Sequence, residues 1–207
     1  MKAILISDYA KWCALMMNGE KTIEVRKNKA LANAIRKLIK QYGKALIYVY
    51  CGKGKKLLFD KEQEIYFVGT HNANLEKHSA DTDVYMNTAY ELGCNNLNGK
   101  VVARFWCDEV YIYNIENRYT FFDSAFNETC EKLMGICSPK LYEYVGDKIF
   151  YGIHISKLEI FDRPKELGEF YKVGFHNAIC KPEDTEETVN FYRITKAPQN
   201  YCYVEVE

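Results

Sequence analysis

The chain has 207 residues, 48% of them hydrophobic and 27% charged, with 28 Lys and Arg balanced by 28 Asp and Glu. That fits one globular domain with a sizeable core, and a net charge of zero singles out no partner by itself. No apolar run approaches the roughly 20 residues of a membrane span, and the signal-like start MKAILISDYAKWCALMMNG is interrupted by Asp8 and Lys11 with no small-residue cleavage site after it, so the expected location is cytoplasmic with no membrane partner.

Residues 2 to 7 (KAILIS) read as a short buried strand. Asp8 reads as the N-cap of a helix on which Tyr9, Trp12, Cys13 and Met16 recur at helical spacing, and Asn18-Gly19 supplies the stop. TIEVR then alternates, with Thr22, Glu24 and Arg26 on one face and Ile23 and Val25 on the other. Simple alternation puts Lys21 on the Ile23 side, so the turn at Gly19 has to redirect it. A second helix carries the stripe Leu31, Ala34, Ile35, Leu38, Ile39, Tyr42 and ends at Gly43, with Asn33, Arg36, Lys37 and Lys40 opposite.

ALIYVYC at 45 to 51 is a strong strand, followed by a basic loop GKGKK. The Asn-rich region has weak periodicity, and 57–98 reads as an insertion in a single domain spanning 1–207. KVVARFWCDEVYIY at 100 to 113 is a long strand or hairpin arm. Two short helices are expected at 123–134 and 138–146, a strand pair near 149–160, a short helix at 164–171, an acidic loop PEDTEE and a closing strand YCYVEV. Mostly strands with short helices between them suggest an α+β fold, a small barrel with helical decoration.

Charge is unevenly placed. Residues 11 to 61 hold 13 Lys or Arg against three acids, Glu20, Glu24 and Asp60, a net +10, so residues 62 to 207 carry −10. Such a split can present a phosphate-attracting face, or it is a solvated lysine-rich surface. The eight cysteines include no Cys-x-x-Cys pair, and His71 and His78 lack finger-like spacing, so neither disulfides, metal nor other cofactor is expected.

The stretch NGEKTIEVRK packs charge onto a strand. Arg26 offers a planar fork for phosphate or a base edge, Glu24 can accept from an exocyclic amine, and a neighbouring cation would keep it ionised. The bland alternative is a Glu24–Arg26 pair that merely decorates the strand. On the ligand reading these charges are expected to be exposed, so that losing Lys21, Glu24 or Arg26 changes stability by only about 0–1 kcal/mol while weakening binding. Trp12 either packs in the core or stacks on a base, Lys11 either reaches phosphate or is solvated, and Tyr201 with Tyr203 forms an aromatic wall or simple packing. His154 and Glu143 are further acid–base candidates whose ordinary roles are structural and solvated.

Gly19-Glu20-Lys21-Thr22-Ile23-Glu24-Val25-Arg26 resembles the G-x-K-x-x-E-x-R signature of ASCH domains, in the PUA-like superfamily. GKVVARFWCDEV, YGIHISKLEIFDRPKEL and KAPQNYCYVEV also resemble later segments of bacterial ASCH proteins, so the likeness covers most of the chain outside 57–98. The resemblance implies a PUA-like barrel with a cleft beside the first helix that binds RNA or a modified nucleoside. On that reading Lys21, Thr22, Glu24 and Arg26 are the expected ligand contacts, and the candidates Trp12, Lys11 and Tyr201 are taken with them as ligand-binding residues. Some compact members are similar to amidohydrolases that deacylate N-acetylated cytidine with a Lys, a Thr and a Glu, and others are linked to ribonuclease action. Lys21 is retained here, but Glu24 stands where the deacylating members carry Thr, so acyl-cytidine hydrolysis is expected to be weak or absent. If the chain is an enzyme, Lys21 and Glu24 are its expected catalytic pair. The third reading is a protein-interaction module without a ligand.

Overall fold

The computed structural model describes residues 1–17, 19–53, 59–60, 65–66, 97–114, 133–136, 138–146, 148–178 and 186–206. Apart from the short pieces just given, the readings of 57–98 as an insertion and of 123–134 as a helix lie outside the described residues.

Strand β1 (Lys2–Asp8) leads into α1 (Ala10–Met17), β2 (Ile23–Arg26), α2 (Lys29–Tyr42) and β3 (Ala45–Cys51). Two short strands, β4 (Phe59–Asp60) and β5 (Ile65–Tyr66), pair with each other. Then come β6 (Val101–Cys107), β7 (Val110–Tyr113), α3 (Ser138–Val145), β8 (Phe150–His154) and β9 (Ser156–Lys165). A 3-10 turn (Leu167–Glu169), β10 (Tyr171–Lys172), α4 (Phe175–Ala178), α5 (Glu186–Tyr192) and β11 (Tyr201–Glu205) complete the order. The architecture is α+β, as expected.

The main sheet runs β10-β11-β1-β3-β6-β9, with β1 and β3 parallel and its other pairs antiparallel. A second, antiparallel sheet runs β2-β8-β7. The two are continuous in the chain. β6 pairs with β9 in the first sheet and β7 with β8 in the second, so residues 101–113 and 150–165 form one long antiparallel pair that bends at a corner. At that corner the His154 N–H donates to Glu109 O (3.1 Å) and Ser156 Oγ donates to Trp106 O (2.8 Å). A strand that changes sheets through a bend is how a small β fold turns a barrel-like corner. The long arm expected at 100–113 is therefore two strands in two sheets.

The core lies between these sheets. Ile4 and Ile6 of β1, Ile47 and Val49 of β3, Phe105 of β6 and Ile153 of β8 meet the buried face of α2, Leu31 and Ile35. On its other face β1 buries Ala3 and Leu5 against Tyr48, Phe170 and Val204. Burial on both faces explains why KAILIS is nearly all apolar instead of alternating. Helix α2 starts at Asn28, whose side chain accepts from the Leu31 N–H (3.1 Å), and ends at Gly43, whose N–H donates to Ile39 O (2.8 Å). Its stripe is buried as far as Leu38, while Tyr42 is exposed.

Two C-terminal readings change. The helix expected at 164–171 shrinks to the 3-10 turn, and the end of the acidic PEDTEE stretch begins α5, with Glu186 and Glu187 in its first turn. Acids there favour a helix by facing its positive end, an effect a reading based on polarity alone overlooks.

Candidate functional site

The parallel strands β1 and β3 end side by side, at Ser7-Asp8 and just before Gly52-Lys53, and the Gly52 N–H donates to Asp8 O at 2.7 Å. Carboxyl ends of neighbouring parallel strands leave a crevice because the chain departs from them into other layers. Here it departs into α1 and returns as β2. It leaves α1 through Gly19 at φ +72°, a left-handed conformation that suits glycine, and the N–H groups of Glu20 and Lys21 both donate to Leu15 O. Lys21 thus precedes the strand, free of its alternation, and the redirection required by the sequence pattern is present.

A cavity of about 790 Å³ opens at this point. Its floor holds Asp8, Lys21, Glu24 and Arg26, and its walls include Trp12, Ile136, Tyr144, Pro198 and Gln199. Lysines 11, 27, 53 and 140 also line it, with Glu143 the one acid among the outer charged residues.

The floor is a buried charge cluster. Asp8, Lys21 and Glu24 are only 7%, 4% and 3% exposed. Lys21 Nζ lies 3.2 Å from Glu24 Oε2 and donates to Met134 O at 3.0 Å. Arg26 Nε lies 2.7 Å from Glu24 Oε1, a close ion pair off the line of a hydrogen bond. Arg26 Nη2 lies 3.2 Å from Asp8 Oδ2 and donates to Ser7 O at 3.1 Å. Arg26 therefore ties β2 in one sheet to the end of β1 in the other. The exposed charges expected from the sequence, whose loss would leave stability nearly unchanged, are not what forms: Lys21 and Glu24 are buried. The folded chain encloses these charges because β2 is covered on both sides.

Burial by itself would raise the Glu24 carboxyl, but the Lys21 and Arg26 charges beside it hold it below the usual carboxylate range. Asp8 goes the other way. Burial, then the neighbouring Glu24 charge, push it up to about 7 against the pull of Arg26 and Lys21. Burial opposes the Arg26 charge, yet Glu24 and Asp8 raise its pKa above the ordinary value. The two neighbouring carboxyls are thus shifted in opposite directions, Glu24 down by its cations and Asp8 up by burial.

The residues singled out from sequence separate into two groups. Lys21, Glu24, Arg26, Trp12 and Lys11 line the cavity. Trp12 is half-buried, with Lys11 Nζ 4.7 Å and Lys21 Nζ 4.9 Å from its ring centroid, while Cys13 and Met16 of the same predicted stripe are in the core and Tyr9 is 74% exposed. Thr22 and Tyr201 are not among the lining residues. Thr22 is held by its backbone, donating to Leu133 O and accepting from the Ile155 N–H, and Tyr201 packs edge-on to Tyr203 against the main core. Glu143 is exposed on α3 and reaches the outer lining. His154 sits at the sheet corner, its Nδ1 2.6 Å from Asp108 Oδ1. Of the basic window, Lys53 and Lys27 join the cavity, whereas Arg36 donates to Val110 O at 3.0 Å, and neither it nor Lys37 or Lys40 lines the cavity.

Asp8 is the floor residue that sequence reasoning assigned elsewhere. Its Oδ1 accepts the adjacent Tyr9 N–H (2.9 Å), and its Oδ2 faces Arg26, so the capping role expected of it is not the one it takes. The available signal was its place at the end of a strand whose residues 3–6 are all buried. Cys13, Cys51, Cys107 and Cys202 carry free thiols, and among the described residues no group of three or more His, Cys, Asp or Glu side chains could hold a metal ion.

No family model matches the chain, and no curated protein matches it. Among solved structures it is similar to the crystal structure of ASCH from Zymomonas mobilis, at a TM-score of 0.48 and 10% identity, over 98% of this chain and 87% of that one. Two point variants of the Zymomonas mobilis protein align at a TM-score of 0.47 and 10% identity, one over 98% of this chain and 88% of its own, the other over 99% and 91%. These neighbours are ASCH proteins, the family whose signature residues 19–26 resemble.

Proposed function

We propose that the chain is an ASCH-type, PUA-like domain that binds RNA or a modified nucleoside in the cavity above Lys21, Glu24 and Arg26. The observation that carries this reading is the buried cluster itself. Enclosing four ionisable groups costs solvation that a hydrophobic floor would not, and the carboxylate oxygens Glu24 Oε2 and Asp8 Oδ2 are held there by Lys21 Nζ and Arg26 Nη2, each at 3.2 Å. A ligand that donates to the carboxyl groups from the cavity side would offset part of that cost. The exocyclic amine of a base is such a donor, and the outer lysines supply contacts for the adjoining phosphates. The cavity's volume is within the range of small-ligand sites, about 300–1,000 Å³.

The test is equilibrium binding of short single-stranded RNA and of free nucleosides to wild type, Lys53→Ala and Lys140→Ala. Each lysine change should weaken RNA binding several-fold and leave nucleoside binding almost untouched. Equal affinity of all three proteins for RNA would contradict the reading.

A second reading, hydrolysis of a modified nucleoside or of RNA, is favoured by one specific observation. Two adjacent carboxyls with pKa values pushed apart are the usual arrangement of a general acid–base pair. Product formation from RNA or acylated cytidine that disappears in Glu24→Gln would establish turnover, and binding without product would leave a binding domain. The position of Glu24, where deacylating relatives carry Thr, favours RNA over acyl-cytidine as the substrate of any such reaction.

A further inference from the structure

Two carboxyls share one guanidinium at the cavity floor. Asp8 closes β1 in the main sheet, Glu24 lies on β2 in the other, and Arg26 meets both, at 3.2 Å and 2.7 Å. Asp8 Oδ1 is occupied by the Tyr9 N–H, whereas its Oδ2 is buried 3.2 Å from Arg26 Nη2 and belongs to a residue lining the cavity. Glu24 and Arg26 of β2, Lys21 before it and the Tyr9 N–H act on Asp8, Tyr144 of α3 and Cys13 of α1 feel its charge, and Cys51 of β3 is its partner in the sheet.

We propose that Asp8 is a ligand-contacting residue of this site, and that the site takes up one proton there when an RNA phosphodiester enters the cavity. The proposal rests on the reading of the cavity as an RNA site. The inner cations, Lys21 and Arg26, are already matched by two carboxylates. A phosphodiester adds a third negative charge to a partly dehydrated space, where like charges are poorly screened. The outer lysines attract it but remain wet, so the inner balance must still be restored. Protonating a carboxyl restores it, and Asp8 is the one that yields, because Lys21 and Arg26 keep Glu24 ionised. The proton comes from solvent, one per phosphodiester. A neutral Asp8 stops competing for Arg26 Nη2, freeing that N–H for the phosphate, and its new O–H becomes a donor.

Linkage fixes the sign. A proton gained on binding makes affinity fall as pH rises, by up to about tenfold per pH unit between the Asp8 pKa of the empty site and that of the filled site. The experiment is isothermal titration of wild type and Asp8→Asn with RNA trinucleotides lacking terminal phosphates, in buffers of different ionisation heat, across the neutral to mildly alkaline range. Wild type should take up about one proton per ligand on the alkaline side, with affinity falling roughly tenfold per unit. Asp8→Asn, whose amide imitates the neutral acid, should take up none and bind roughly tenfold more tightly than wild type one unit above the Asp8 pKa. Binding by wild type without proton uptake, or uptake that persists in Asp8→Asn, overturns the proposal and leaves the RNA reading standing. Failure of wild type to bind any trinucleotide overturns both. Should Asp8→Asn not fold, carbon-13 NMR of the wild-type Asp8 carboxyl with and without trinucleotide decides: an upward move of its titration supports the proposal, and an unmoved one ends it.

Discussion

Removing the Lys21 ammonium leaves the buried Glu24 carboxylate with one of its two cations, Arg26. Breaking one partner of a buried pair costs about 3–5 kcal/mol, far more than loss of an exposed one. Lys21→Ala and Arg26→Ala are therefore expected to lower the melting temperature, at about 2–4 °C per kcal/mol for a chain of this size. Glu24→Gln should cost less, since a neutral amide removes a charge from a site that keeps two cations and Asp8. Thermal melts of the three variants check this, and unchanged melting would show that the charges are solvated. Asp8 gives a pH signature of opposite sign to most acids. Its folded pKa of about 7 lies above the ordinary 3.8, so between those values the native state holds a proton that the unfolded chain has lost. Its contribution to stability falls as pH rises through that window. Asp8→Asn should gain on wild type in melting temperature between mildly acid and mildly alkaline pH, and parallel curves would contradict the assignment.

Strand β8 sets the spacing of the small sheet, and Gly152 is the residue that allows it. A Cβ there would lie 2.8 Å from Ile23 Cγ2 on one side and 2.9 Å from Tyr113 Cε2 on the other. Gly152→Ala is thus expected to push β2 and β7 away from β8, costing about 1–3 kcal/mol and displacing Glu24 and Arg26. The check is a melt paired with an RNA titration, in which folded protein should bind more weakly than wild type. Elements with a strong local signal were legible from sequence: the apolar runs KAILIS and ALIYVYC, the Leu31 to Leu38 stripe with its Gly43 end, and YCYVEV. The sheet corner at Asp108–Glu109 was not, because nothing local in VVARFWCDEVYIY says that its two halves pair in different sheets. The site was half legible. The spacing of Lys21, Glu24 and Arg26 identified the strand that carries it, but their burial comes from β1, α1 and α3 packing around that strand. Asp8 joins them through a contact between strands, and a helix-capping pattern masked it.

At the scale of the whole molecule, the +10 window divides between two places. Lys11, Lys21, Arg26, Lys27 and Lys53 line the cavity, joined by Lys140 from the acidic remainder of the chain, while Arg36, Lys37 and Lys40 do not. RNA binding should weaken steeply with salt, and each cavity lysine that contacts phosphate should reduce the slope of log affinity against log salt by about 0.7 when removed. Lys53→Ala is expected to show that reduction, and Lys37→Ala and Lys40→Ala are not. Equal effects from both sets would mean that the phosphate path runs over α2. The most direct test of the cavity itself uses Trp12. The chain has two tryptophans, so Trp106→Phe leaves Trp12 as the sole reporter, placed in the cavity wall between two lysines. Titrating this variant with single-stranded RNA while following both Trp12 emission and RNA anisotropy should give one saturable curve by both signals. RNA that binds by anisotropy while Trp12 emission stays constant would place the ligand outside the Lys21–Glu24–Arg26 cavity.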